Sequence, residues 1–170
     1  KLCIYIGSPP PTRGKRGANG SSIDIPRITP AYAGKTGYWK DVGTLTSYWE
    51  ANMELIDIIP VFNLYEEYWK IYTKSDILPP QYISAESTIE RSIIGEGTTI
   101  YGSVHNSVIG SGVTIGKGAV VSNSIIMQDV VIGDGSVIEK SIIADKSKIG
   151  AGVKMGVGEY APSKLDPKVY

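Results

Sequence analysis

The sequence predicts a mainly β protein, a parallel solenoid of hexapeptide units preceded by a short helical connector. Three observations carry this. The pattern I-G-x-G-x-x-[I/V/M] starts at Ile94, Ile109, Ile115, Ile132 and Ile149, with degenerate copies at Ile83 and Ile143. A second marker, Ser-[I/V]-Ile, recurs at Ser92, Ser107, Ser124 and Ser141, at separations of 15, 17 and 17. Thirteen of the 20 glycines lie between Gly95 and Gly158, and the chain holds a single Phe.

Aligning the two markers gives apolar anchors at Ile109, Ile115, Val121, Ile126, Ile132, Ile138, Ile143, Ile149 and Met155, separated by steps of five or six. Each unit supplies one short strand, and three units close a coil of about 17 residues whose strands find partners only in the coils above and below. Anchors point inward and stack. The residue two before each anchor points inward as well, because side chains alternate along a strand. At the marked positions that residue is a small serine. Glycines follow the anchors where the chain turns. A narrow prism suits stacked Ile and Val better than rings, which accounts for the scarcity of Phe.

The elements follow in order. Residues 1–36 hold six basic residues against one acid, with Pro9-Pro10-Pro11 and several glycines. They read as a poorly ordered or extended basic arm. The remaining eleven basic and sixteen acidic residues make the body acidic, and the two parts cancel to a net charge of +0. Residues 37–76 cluster aromatics at helical spacing. Thr44 can cap a helix from Leu45 to about Ile56, with Leu45, Tyr48, Trp49, Asn52, Met53 and Ile56 near one face. Pro60 ends it, and a second helical stretch spans Leu64 to Ile71. Pro79-Pro80 marks a turn, the solenoid occupies 77–160, and a tail covers 161–170.

Composition excludes several function classes. Zero net charge argues against a nucleic-acid partner. One Cys excludes a disulfide framework or a Cys-based zinc site. No apolar run approaches the roughly 18 residues of a bilayer-spanning helix, so no membrane partner is expected. The G-x-G strings lack the spacing of a phosphate loop and all fall in phase with the repeat. Glu96, Asp129, Asp134 and Asp145 are expected at solvent-facing corners. The run Tyr65, Tyr68, Trp69 and Tyr72 is expected to pack between the helices and the solenoid end.

The hexapeptide signature resembles the left-handed β-helix family. The left hand comes from that resemblance, since ordinary parallel crossovers are right-handed. Hexapeptide acyltransferases resemble this repeat too, and often use a histidine as general base. The only histidine, His105, lies in the stretch Tyr101 to Asn106, where a 15-residue spacing breaks the hexad step. That stretch reads as a distorted corner or loop, with no carboxylate near His105 in sequence. A free-standing acyltransferase or small-molecule-binding module remains an alternative. The γ-type carbonic anhydrases share the β-helix but need three histidines, which this chain does not have.

The string Gly37-Tyr38-Trp39-Lys40-Asp41-Val42-Gly43-Thr44, with Tyr48 and Glu50-Ala51-Asn52-Met53 after it, is the most specific local feature. Together with Ile71-Tyr72-Thr73, Pro79-Pro80 and the stretch Asn123 to Met127, it resembles the sugar-nucleotide pyrophosphorylases, above all the bacterial glucose-1-phosphate adenylyltransferases. The resemblance covers roughly residues 37–160. It implies a cytoplasmic nucleotidyltransferase of glycogen biosynthesis. Such an enzyme joins ATP and glucose 1-phosphate to give ADP-glucose and pyrophosphate, with Mg²⁺ as cofactor. It also implies that Asp41 is a Mg²⁺ ligand and that Trp39 belongs to the sugar-phosphate pocket. The β-helix would serve assembly, as a homo-oligomer or with companion subunits, and regulation. The sequence contains no GGxGxRLxPLT nucleotide loop, no second metal aspartate and no Glu-Lys-Pro sugar motif. The chain alone is therefore expected to be inactive, and a guanylyl or uridylyl relative stays open.

Overall fold

The computed structural model describes residues 3–6, 38–61, 64 and 77–157. Except for Leu64, the second helical stretch lies outside the described residues, as do the aromatic run 65–72 and the tail. Four residues of the lead, read above as a poorly ordered arm, form β1 (Cys3–Ile6). It pairs antiparallel with β2 (Tyr38–Asp41), with Tyr5 opposite Trp39 and Cys3 opposite Asp41. The pairing has a simple origin: Cys-Ile-Tyr-Ile is a β-rich run whose partner lies some thirty residues further on.

Helix α1 (Leu45–Glu54) follows. Thr44 caps it as expected: its hydroxyl accepts from the Ser47 amide, and the Ser47 hydroxyl accepts from the Thr44 amide, each at 3.1 Å. This reciprocal box satisfies two amides that have no partner within the helix. The helix ends two residues earlier than the periodicity suggests, with Leu55 as C-cap. Leu55 and Ile56 donate to the carbonyls of Asn52 and Met53 in a tightened last turn. Ala51 is buried, whereas Leu45 at the start of the apolar series is exposed.

The rest is a parallel β-solenoid. Its first face stacks β3 (Tyr82–Ile83), β6 (Thr99–Ile100), β9 (Thr114–Ile115), β12 (Val131–Ile132) and β15 (Lys148–Ile149). Its second stacks β4 (Thr88–Glu90), β7 (Ser103–His105), β10 (Val120–Ser122), β13 (Val137–Glu139) and β16 (Lys154–Met155). Its third stacks β5 (Ile93–Ile94), β8 (Val108–Ile109), β11 (Ile125–Ile126) and β14 (Ile142–Ile143). The register carries each anchor onto its counterpart: Ile100 pairs with Ile115, Val121 with Ile138, and Ile126 with Ile143. Ile100, Ile109, Ile115, Ile126, Ile132 and Ile138 are almost completely buried, and Ile149 and Met155 pack against them from the last coil.

The serines do more than fit. Ser107, Ser124 and Ser141 are fully buried, and each hydroxyl donates at 2.7 Å to the carbonyl two residues earlier. The hydroxyls of Ser92, Ser107 and Ser124 each accept the amide of the next serine in the column at 3.1 Å. A column of hydroxyls thus relays hydrogen bonds from coil to coil. Among the described residues every buried side-chain nitrogen or oxygen has a partner.

The two glycines of the repeat have different reasons. A Cβ on Gly133 would lie 2.6 Å from the amide nitrogen of Ala151, so the first glycine permits close approach of coils. Gly135 has open space but φ +66°, so the second supplies a left-handed turn. The break in the hexad step is smaller than the sequence suggests. In the second coil, Tyr101 alone stands where the third coil has Gly116-Lys117-Gly118. Ser103 to His105 then rejoin the second face in register with Thr88–Glu90 and Val120–Ser122. A Cβ on Gly102 would lie 2.3 Å from the Ala119 carbonyl, so this shortened corner admits only glycine. The Tyr101 ring packs tilted against Tyr82, with centroids 5.8 Å apart.

Replacing Ile132 by Asp is expected to destabilise the solenoid by several kcal/mol, because an unpaired charge would be buried. Thermal melting checks this; an unchanged transition would mean the register is wrong. Ser124→Ala leaves the Ser141 amide without its acceptor and should cost about 1–3 kcal/mol, read by denaturant unfolding.

Candidate functional site

The candidate site is the end of β2 and the turn into α1. Trp39 lies within β2, opposite Tyr5, and Asp41 ends the strand. The Asp41 Oδ1 accepts the Gly43 amide at 3.0 Å, an Asx-type turn that reverses the chain before the cap at Thr44. Val42 between them is buried. Lys40, next to Asp41, forms an ion pair with Glu54 near the far end of α1. Strand end, turn and helix therefore form one closed unit.

A single carboxylate aimed by a turn is a suitable hard oxygen donor for Mg²⁺. It is one donor only: among the described residues no group of three His, Cys, Asp or Glu side chains is placed to hold a metal ion. Asp41 and Trp39 share a strand, which places both resemblance-implied residues in one element.

His105 differs from its expectation. It lies on β7 rather than on a loop, half-exposed, and its Nδ1 is 3.3 Å from Glu90 Oε2. Sequence proximity could not show the carboxylate, because stacking brings it from the preceding coil, where Glu90 pairs in register with His105. Glu96, Asp129, Asp134 and Asp145 are exposed at corners as expected. Asp134 also acts structurally, its Oδ1 accepting the Lys117 amide at 2.8 Å.

Sequence reasoning missed the groups that fasten α1 to the solenoid. The Trp49 indole Nε1 donates to the Asn123 carbonyl at 2.8 Å, across 74 residues of chain. The Lys140 ammonium lies 6.0 Å from the centre of the Trp49 ring. Arg91 meets Asp57 at 3.5 Å. Arg91, Asn123 and Lys140 occupy equivalent corners of successive coils, as does Asn106, and all four have positive φ of 42–49°. The Asn106 amide donates to the Asn123 side-chain oxygen at 2.6 Å along the same line. Polar residues at a fixed place in the repeat were the available signal.

Residues 80–164, half of the chain, match the family model for GlmU-like C-terminal hexapeptides. The chain belongs to the GlmU-like hexapeptide family. Its relatives extend the likeness beyond the repeats. It is 63% identical over 134 residues to the glucose-1-phosphate adenylyltransferase of Thermotoga neapolitana, covering 79% of this chain and 32% of that protein. It is 57% identical over 152 residues to the enzyme of the same name from Thermotoga sp. strain RQ2, covering 86% and 36%. Over 79 residues it is 77% identical to the one from Lachnospira eligens, covering 46% and 19%. The chain thus spans about a third or less of the length of these curated relatives. Among the described residues, no helix of this hexapeptide protein is long and apolar enough to cross a membrane.

Thr44→Ala removes one half of the capping box that follows Asp41. It should cost about 1 kcal/mol and speed amide exchange at Ser47, as read by NMR; unchanged exchange there would show the cap to be dispensable.

Proposed function

We propose that this chain is the connector and assembly part of a glucose-1-phosphate adenylyltransferase, which joins ATP and glucose 1-phosphate into ADP-glucose and pyrophosphate for glycogen synthesis in the cytoplasm. The supporting observation is that 63% identity runs over 134 residues, more than the repeats alone, and that the string Gly37 to Thr44 is intact at a strand end. On this reading β2 brings Trp39 to the sugar phosphate and Asp41 gives one oxygen to Mg²⁺. Bound Mg²⁺ supplies charge that offsets the phosphates as the nucleotide α-phosphorus is attacked. Asp41 is held for that task by Gly43 and by the helix behind it.

The solenoid then serves assembly with further copies or companion subunits. Tyr82 and Ile83, on the first coil, are 56% and 50% exposed, although Ile83 occupies an anchor position. An apolar strand edge of this kind is suited to burial by another subunit.

A chimera decides the matter: residues 37–170 joined to the remaining part of the Thermotoga neapolitana enzyme. It should make ADP-glucose with Mg²⁺, and Asp41→Asn should lower the rate on the order of 100-fold. The chain alone should release no pyrophosphate from ATP and glucose 1-phosphate. A folded chimera without activity, or turnover by the chain alone, would overturn the proposal. Binding of an acyl-CoA that His105→Ala abolishes would favour a hexapeptide acyltransferase instead. Light scattering over a dilution series should show self-association, and a dilution-stable monomer would count against the assembly role.

A further inference from the structure

We infer that Trp49 is a positioning residue: its indole pins α1 along the solenoid and thereby sets where the Asp41 end of β2 stands against the coils. The consequence for Asp41 rests on the function proposed above, whereas the pinning of α1 does not.

Three contacts fall on one corner line. Trp49 meets Asn123 and Lys140, at the third and fourth coils, and Asp57 meets Arg91, at the first. α1 continues from Trp49 only to Glu54, about 7.5 Å at helical rise, and the turn beyond it carries the chain to Asp57. From a point between Asn123 and Lys140 back to Arg91 is two and a half coils, about 12 Å at the ~4.8 Å strand spacing. The segment from Trp49 to Asp57 therefore crosses the coils, from the third and fourth at Trp49 to the first at Asp57. It acts as a splint whose Asp57 end lies at the first coil.

Of the three contacts the indole hydrogen bond carries the most. Arg91 and Asp57 are both more than half exposed, and exposed ion pairs contribute little. The cation–π contact stands at the outer limit of useful distance. The Asn123 carbonyl, by contrast, is made available by the serine column. The Lys140 amide donates to the Ser122 carbonyl, but the next amide, of Ser141, goes to the Ser124 hydroxyl rather than to the Asn123 carbonyl. Trp49 takes that carbonyl at a half-buried position. Ile125 beside it points outward by alternation from Ile126, yet is only 3% exposed, as a covered face requires.

The link to Asp41 is short. Lys40 and Glu54 tie β2 to one end of α1, the Thr44–Ser47 box closes the other, and Gly43 holds Asp41 Oδ1. A helix fixed to the corner therefore fixes the carboxylate.

The test is amide hydrogen exchange by NMR on this chain, with Trp49→Phe keeping an aromatic ring and removing the N–H donor. Amides of Asn52 and Met53, and the Gly43 amide, should exchange on the order of fivefold faster, the factor expected from one lost hydrogen bond. Ile126 and Ile132 should keep their protection. Unchanged exchange in α1 overturns the pinning. Faster α1 with an unchanged Gly43 amide overturns the positioning of Asp41. In the unaltered chain a nuclear Overhauser effect should join the Trp49 indole proton to the Asn123–Ser124 backbone. Its absence overturns the inference even if the variant does not fold. No nucleotide is needed, so failure of the chimera would leave these outcomes standing.

Discussion

Each inner coil of the solenoid is held by the coils above and below it, through strands of two or three residues. Such strands make few hydrogen bonds each, so stability depends on keeping register through the whole stack. The aliphatic columns favour that register by hydrophobic burial, and the serine column enforces it by hydrogen bonding. A hydroxyl that must receive one coil's amide and reach a carbonyl in its own coil tolerates no slip. A one-residue shift would also turn every inward isoleucine to solvent. First glycines let coils approach, and second glycines turn the chain between faces.

The same constraint shapes the outer surface. Because the serine hydroxyls intercept amides between coils, the corner before the third face presents carbonyls and left-handed residues in a line. Helix α1 uses that line. The candidate site is thus attached to a repeating scaffold at a place set by the repeat, and the connector has a defined attitude to the coils. The likeness to adenylyltransferases runs over 134 residues, longer than the repeats alone.

Much of this was legible in advance. The anchors from Ile109 to Met155, the inward serines and the Thr44 cap are local or periodic, and simple alternation locates them. The boundary of α1 was less so, since the turn at Leu55 depends on where the chain must go next. The shortened corner at Tyr101-Gly102 looked like a larger disruption than it is, because a repeat count registers missing residues without saying which side of the strand loses them. The pairing of His105 with Glu90 shows the same difficulty. At 15 residues apart they look unrelated until that deletion is assigned to one corner, after which they become neighbours on a rung.

The sequence by itself determined the repeat, the identity of the buried columns and the string whose resemblance points to nucleotidyl transfer. The repeat and its columns are written in residue spacing, which survives without knowledge of the fold, whereas the string speaks through its resemblance alone. Only the tertiary structure decided that Cys3–Ile6 pairs with Tyr38–Asp41, that Lys40 reaches Glu54, and that Trp49 meets a carbonyl 74 residues away. Those contacts join segments with no shared period. The last of them needs the stacked coils, whose corner line is the surface the helix lies against.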